Sequence, residues 1–356
     1  KKLKVLINDK ENGTRTLSRP NMGVAGVVEA GYTTVLENAT GIATLEEITD
    51  PYGVYYLTAD ISANAHTVSE FYGALDACGH SITTSEPLFD KLGGGILNLN
   101  LAGDITYSAE AKGTLANTIL SYTTILNVKN TCNVTVNAES TQTDVLAGGF
   151  AINVYGEYVV FGNCEFAGEI NNVYNEAGNN RKSGGFVAMI TADPSSEDAV
   201  APVVDFINCT FSGKLTASSH CAGLVGEAVT NCTISVAGCV NTGTVANTKE
   251  GWAGGLLGYF TGSAPGILNV INCANNGTVS SNESAGGVIA SSKTDSDIHE
   301  NTFKWCVNYK DIEARGRYAG GVVARAKGLT YFTECVNFGD INGLTPKNAD
   351  GQDDPT

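Results

Sequence analysis

The chain has 356 residues, with 21 Lys and Arg against 37 Asp and Glu, for a formal net charge of −16. That excess of acid argues against nucleic acid and anionic membrane surfaces as partners. No apolar run is long enough to span a bilayer as a helix. With 42 Gly, 8 Pro and only 16% charged residues, little material is left for solvated helices, and no long segment shows helical 3.6-residue spacing.

In chain order, residues 1–45 come first and do not share the pattern of the rest. "LKVLIND" (3–9), "GVAGVVEAG" (23–31) and "TTVLENAT" (33–40) predict a few strands of an N-terminal cap or small leading β module. "TLEEI" (44–48) predicts one helical turn before the first coil. The chain opens at Lys1 with neither initiator Met nor signal peptide, which predicts a mature segment of an exported protein.

Residues 46–341 repeat themselves. A small-small-apolar phrase recurs as "SGGFVA" (183–188), "AGGLLG" (253–258), "AGGVIA" (285–290) and "AGGVVA" (319–324). Its first apolar residues are Phe150, Phe186, Leu224, Leu256, Val288 and Val322, at intervals of 36, 38, 32, 32 and 34 residues. A second phrase runs in step: "NCEFAGEI" (163–170), "NCTFSGKL" (208–215), "GCVNTGTV" (238–245), "NCANNGTV" (272–279), "WCVNYKDI" (305–312) and "ECVNFGDI" (334–341), with a worn copy "NLNLAGDI" (98–105). The alternation is that of short strands and turns.

Short strands at this period fit a propeller blade or a coil of a parallel solenoid. Unequal inserts, two or three strand runs per unit and columns of like residues favour the solenoid. One column reads Leu99, Cys164, Cys209, Cys239, Cys273, Cys306, Cys335. Six positions on, another reads Ile105, Ile170, Leu215, Val245, Val279, Ile312, Ile341. Stacked about 4.8 Å apart in a parallel coil, such columns become internal ridges. The expected fold is all-β, a right-handed parallel β-helix of roughly nine coils. The glycines at 103, 168, 213, 243, 277 and 339 mark a bend. Asn241, Asn275, Asn308 and Asn337 form a turn column whose amides can bond along the stack.

Ten cysteines invite a disulfide framework, but Leu99 in the Cys column says that the position wants an apolar group. Reduced, buried thiols follow for that ladder. One bridge among Cys78, Cys132, Cys221 and Cys232 stays open. There is no CxxC pair and the four His are scattered, so no metal and no cofactor is expected.

Parallel β-helices often carry carbohydrate-cleaving sites, so carboxylate pairs matter. Asp104, Glu169, Asp311 and Asp340 share a column, but it also holds Lys214, Thr244 and Thr278, the make-up of a solvated row. Arg181 and Lys182 offer a base without an acidic cluster beside it, and no catalytic residue is assigned. For binding, the column four residues before each apolar run reads Leu146, Lys182, His220, Trp252, Ser284, Tyr318. Varied chemistry in a fixed place predicts an outward position. His220, Trp252 and Tyr318, with Trp305 in the neighbouring turn, are the candidate platform for sugar or peptide. The inserts 171–183 and 291–303 are expected to protrude. The polar tail 342–356 cannot cover the last coil, so further domains of the same chain or another subunit are expected there.

The stretch 55–105, with "LTADI", "FYGALDACGHSI" and "GILNLNLAGDI", resembles the entry coils of bacterial surface proteins with GLUG-type repeats. "GGLLGY…ILNVINCANNGTV" (254–279) is similar to a GLUG unit itself, and the likeness covers roughly residues 50–341. The first half departs through degenerate units and the long insert 191–203. The resemblance implies an exported or cell-surface bacterial protein, adhesin-like or a structural stalk, that displays loops to host or environmental glycan or protein. The competing expectation is a carbohydrate-active enzyme, lyase or glycoside hydrolase, or a glycan-binding module on the same scaffold.

Overall fold

A computed structural model describes residues 39–343 apart from 64–66, 109–110, 138–144, 175–180, 197–198, 230, 263–265 and 295–299. It also gives the backbone of three short strands before them. The centres of both long inserts, His66, His299 and the tail beyond 343 lie outside the described residues, as does "GVAGVVEAG". The three early strands, Val5–Asp9, Gly13–Thr16 and Tyr32–Thr34, form an antiparallel sheet. "TLEEI" contributes a short 3-10 helix, Leu45–Glu47.

The rest is a parallel β-solenoid. A complete turn carries five strands, as in Ala147–Gly148, Ala151–Val154, Val159–Gly162, Glu165–Phe166 and Glu169–Asn172. Each pairs in parallel with its counterpart one turn on, so the five faces are sheets of 6, 9, 11, 10 and 8 strands in that order. The expected nine coils is therefore the count of a single face. Among the described residues the 6-stranded face limits complete turns to its own number; in the turn before its first strand this side is only the isolated bridge of Lys112 to Ala147. The 11-stranded face starts at Thr40–Ile42, and the 8-stranded face ends at Ile341–Gly343. No described helix is long and apolar enough to cross a membrane.

The core lies along the axis, and the columns read from the sequence are its ridges. Ile105, Val134, Ile170, Leu215, Val245, Val279, Ile312 and Ile341 stand in consecutive register, with Val134 as a rung that no Cys phrase marked. Cys164, Cys209, Cys239, Cys273 and Cys306 are buried, Cys335 is half-buried, and all are free thiols. Among the described residues Cys78, Cys132, Cys221 and Cys232 are unbridged too. Val128 supplies the rung between Leu99 and Cys164, since the backbone N–H groups of Lys129 and Glu165 reach Leu99 and Val128 in turn. Phenylalanines fill the middle: Phe150 stacks on Phe186 at 4.6 Å and Phe161 on Phe206 at 5.0 Å.

The Asn column departs from its expected place in turns. Asn241, Asn275 and Asn308 are fully buried strand residues, not turn residues. Their column begins with the apolar Ile61, Ile82 and Leu101, so it faces inward. The left-handed turn falls instead on the residue before each ladder position, at Asn98, Asn127, Asn163, Asn208 and Asn272 and at Trp305 and Glu334. The glycines of the bend column hold their places by close approach, and of the set only Gly103 shows positive φ. A Cβ at Gly168, Gly213, Gly243 or Gly277 would overlap a backbone carbonyl of the turn below, so close approach excludes side chains there.

Candidate functional site

The Gly-Gly phrases turn the chain from the 6-stranded to the 9-stranded face, and a Cβ on Gly254 would run into the carbonyl of Leu257. The chain thus folds sharply, and in a direction that the sequence does not reveal. Ala253 and Leu256 face the core. Trp252 points away from the core on one side of the corner and Tyr259 on the other, yet their rings lie 5.7 Å apart at 23°. Outward side chains that touch across a corner make that corner concave. Glycines keep the bend tight: a Cβ on Gly226 would meet the Ser183 carbonyl and one on Gly258 the Cys221 carbonyl.

Two walls line this seam. One carries Lys182, His220, Trp252, Ser284 and Tyr318; the last three are in direct register. The other carries Met189, Glu227, Tyr259, Ser291 and Arg325 in direct register. The sequence column expected to face solvent is therefore only half outward. Trp252 is 6% exposed and Ser284 0%, because the opposite wall covers them, while Tyr318 is 39% exposed.

Four rings form a pile along the seam. His220 lies 4.7 Å from Tyr259, Tyr259 5.7 Å from Trp252, and Trp252 5.5 Å from Tyr318 at 15°. Trp252 and Tyr318 are two turns apart and meet only because Ser284, between them, is small. The Arg325 guanidinium sits 5.9 Å from the Trp252 ring centre and 5.4 Å from that of Tyr318, a cation held by ring faces.

At the other end stands an ion pair. Lys182 Nζ is 2.6 Å from Glu227 Oε2, with side chains 12% and 7% exposed. Burial pushes the Glu227 carboxyl up and the Lys182 charge opposes it. His220 accepts the Trp252 backbone N–H at Nδ1, 3.2 Å away, which leaves the other ring nitrogen, 4.0 Å from Glu227 Oε2, to carry the proton. Burial, then the Lys182 charge, drives its pKa down to about 3, so the ring is neutral. A neutral imidazole, a paired Lys–Glu and a pile of rings are groups suited to holding a ligand.

The remaining candidates lie elsewhere. Trp305 is on the corner between the 11- and 10-stranded faces, 37% exposed, donating through Nε1 to Glu334 Oε2 at 2.6 Å with Lys304 Nζ 4.1 Å over its ring. The structure does not bring it to the seam. Arg181, weighed as a base, is fully buried, with its guanidinium 4.4 Å over Tyr174. The Asp104–Glu169 column is a solvated row in which Glu169 pairs with Lys214 at 2.6 Å.

Sequence reasoning missed Glu227, Tyr259 and Arg325. Each lies inside a strand that follows a small-small-apolar phrase, in "VGEAV", "LGYFTG" and "VARAK". A charge or phenol interrupting an otherwise apolar run was the available signal.

No family model matches the chain, and no curated protein matches it. Among solved structures, two similarities are found. A Bacteroides ovatus protein, described as a candidate immunoglobulin A1 protease, is 16% identical over 78% of this chain and 77% of its own, with a TM-score of 0.43. A structure named IgA1 protease is 14% identical over 98% of this chain, at a TM-score of 0.53. This chain spans 26% of the length of that second protein. At 14% identity the second likeness is one of fold alone.

Proposed function

We propose that this chain is part of an exported bacterial surface protein akin to those with GLUG-type repeats, a non-enzymatic rod that presents loops and one concave seam to glycan or protein. The observation that carries this reading is the seam: side chains from five successive turns converge there on one outward line of rings and charges. A solenoid whose five sheets share one core is rigid along its axis, and fixed spacing between turns suits display. The second solved structure, an IgA1 protease, also contains such a solenoid as a fraction of a longer chain, which supports a scaffold role beside other domains.

The last described turn leaves core positions in the open, with Phe332 51% and Ile341 39% exposed where Phe303 and Ile312 one turn earlier are buried. Further coils of the same chain or another subunit would cover them.

The second reading, a carbohydrate-active enzyme or glycan-binding module, draws on Glu227, a raised carboxyl beside a neutral His220. An array of immobilised glycans and extracellular proteins, followed by chromatography of any bound oligosaccharide, tests both. Retention of an unaltered ligand is the expected result. Shortened or unsaturated oligosaccharide products would replace the proposal with the enzymatic reading, and no retention on any glycan or protein would reduce the chain to a spacer.

A further inference from the structure

Midway along the open part of the seam, both walls place a serine at the same turn, Ser284 opposite Ser291. Both are 0% exposed, and neither Oγ has a hydrogen-bond partner. Two buried hydroxyls without partners are costly to leave so. They lie in register beneath Tyr318 and Arg325 and beyond Trp252 and Tyr259. The cover over them is asymmetric. Trp252 beneath is 6% exposed, while Tyr318 above is 39% exposed. Among the described residues no carboxylate lies within ion-pair reach of Arg325, whose recorded contacts are the two ring faces. Lys91, Lys129 and Lys214, by contrast, pair with Glu70, Glu165 and Glu169, so the Arg325 charge is open to an anion beside two ring faces.

We propose that the Ser284–Ser291 notch is a saccharide subsite for a sugar ring bearing a carboxylate, seen here closed by Tyr318. In the open form the Tyr318 side chain rotates off Trp252. The sugar takes its place on the indole face, its hydroxyls pair with the two serine Oγ atoms, and its carboxylate meets Arg325. Only a ring that is flat on one side, rich in hydroxyls and singly anionic satisfies all three features together. An acidic peptide would answer Arg325 and leave the serines unpaired. This inference rests on the seam reading above and narrows its ligand class.

The test is titration of the whole chain with uronic- or sialic-acid oligosaccharides and with neutral oligosaccharides of the same length. Binding is followed through Trp252 fluorescence in a Trp305→Phe background, and circular dichroism confirms the fold of each variant. Acidic oligosaccharides are expected to change the Trp252 emission, and neutral ones to bind about tenfold more weakly. Arg325→Ala should abolish that tenfold preference. Tyr318→Ala should bind as tightly as the parent or tighter, because the ring competes with the ligand. Ser284→Ala/Ser291→Ala should weaken binding about fivefold or more.

The subsite is refuted if Tyr318→Ala loses binding, which would make the tyrosine a platform. It also fails if Arg325→Ala keeps the acidic preference, or if no saccharide changes the emission of either parent or Tyr318→Ala. A chain that binds glycan or protein on the array while giving no Trp252 response overturns the subsite alone and leaves the display function standing.

Discussion

Replacing Asn275 by Leu should break the longest polar chain in the core, and the structure sets its cost. Asn241 Nδ2 donates to Asn275 Oδ1 at 2.6 Å, and Asn275 Nδ2 donates to Asn308 Oδ1 at 2.7 Å and to the Gly277 carbonyl at 3.0 Å. All three side chains are fully buried. Leu keeps the branching and the number of heavy atoms but strands a donor on Asn241 and an acceptor on Asn308, each at about 1–3 kcal/mol. Its own burial returns about 1–2 kcal/mol, so the net loss is about 2–3 kcal/mol. Asn337→Leu is the internal control. Asn337 ends the chain of amides where water reaches it, accepting from Asn308 at 2.6 Å and donating to Gly339 at 2.7 Å, and should cost under about 1 kcal/mol. Urea unfolding gives both numbers. Amide hydrogen exchange across neighbouring turns guards against local opening in a repeat protein. Equal losses for the two variants, or a smaller loss for Asn275→Leu, would refute the amide ladder as a source of stability.

Asp205 lies on the 11-stranded face, where burial pushes its carboxyl up to about 6 despite a bond from Ser235. A raised carboxyl penalises folding above its folded pKa and not below its unfolded one, so the penalty of about 3 kcal/mol grows between about pH 4 and pH 6. Asp205→Asn should therefore raise the melting temperature at pH 7.5 and match the parent near pH 4; an equal gain at both would deny the burial. Lys182→Met leaves Glu227 buried and unpaired, a loss of about 3–5 kcal/mol at pH 8 that shrinks at pH 5 as the raised carboxyl takes a proton. Adding Glu227→Gln should recover much of it in the same thermal melts. For the thiols, iodoacetamide with intact-mass detection should label Cys78 and Cys335 in the native chain, the two that are not buried, and all 10 after denaturation. Native labelling of the ladder would contradict its burial.

The solenoid was legible because its physics copies wording. When equivalent residues stack in register, every turn faces the same neighbours, and selection for one apolar ridge writes Cys, Ile or Val at one spacing again and again. The rungs overlooked, Val128 and Val134, fill the same positions with different neighbours in sequence. The direction in which a corner bends was not legible. A Gly-Gly pair permits a sharp turn either way, and only the three-dimensional path decides whether the outward side chains at 252 and 259 diverge into solvent or meet. That is why Trp252 reads as an exposed platform in sequence and is a buried member of a ring pile in the fold. It is also why its partners from the other wall, Glu227, Tyr259 and Arg325, could not be paired with it in advance.

The inward column from Ile82 through Asn337 shows how one position can be filled in two ways. At Phe166 and Phe211 it holds stacked rings 6.0 Å apart, and from Asn241 onward it holds amides. In both halves the same corner glycine presses on it: a Cβ at Gly185 would strike Phe211, and one at Gly287 would strike Asn308. A ring fills that space by volume and asks nothing of its neighbours beyond contact. An amide is smaller and polar, so it is tolerated only in a run, each member satisfying the next. A single Asn between apolar rungs must find other partners, as Asn130, between Leu101 and Phe166, does in Thr114 Oγ1 at 2.6 Å and the Gly149 carbonyl at 2.7 Å. The switch from Phe to Asn is thus a change from independent to mutually dependent turns, and the dependent half is the one that carries Trp252, Ser284, Ser291, Tyr318 and Arg325 on its outer side.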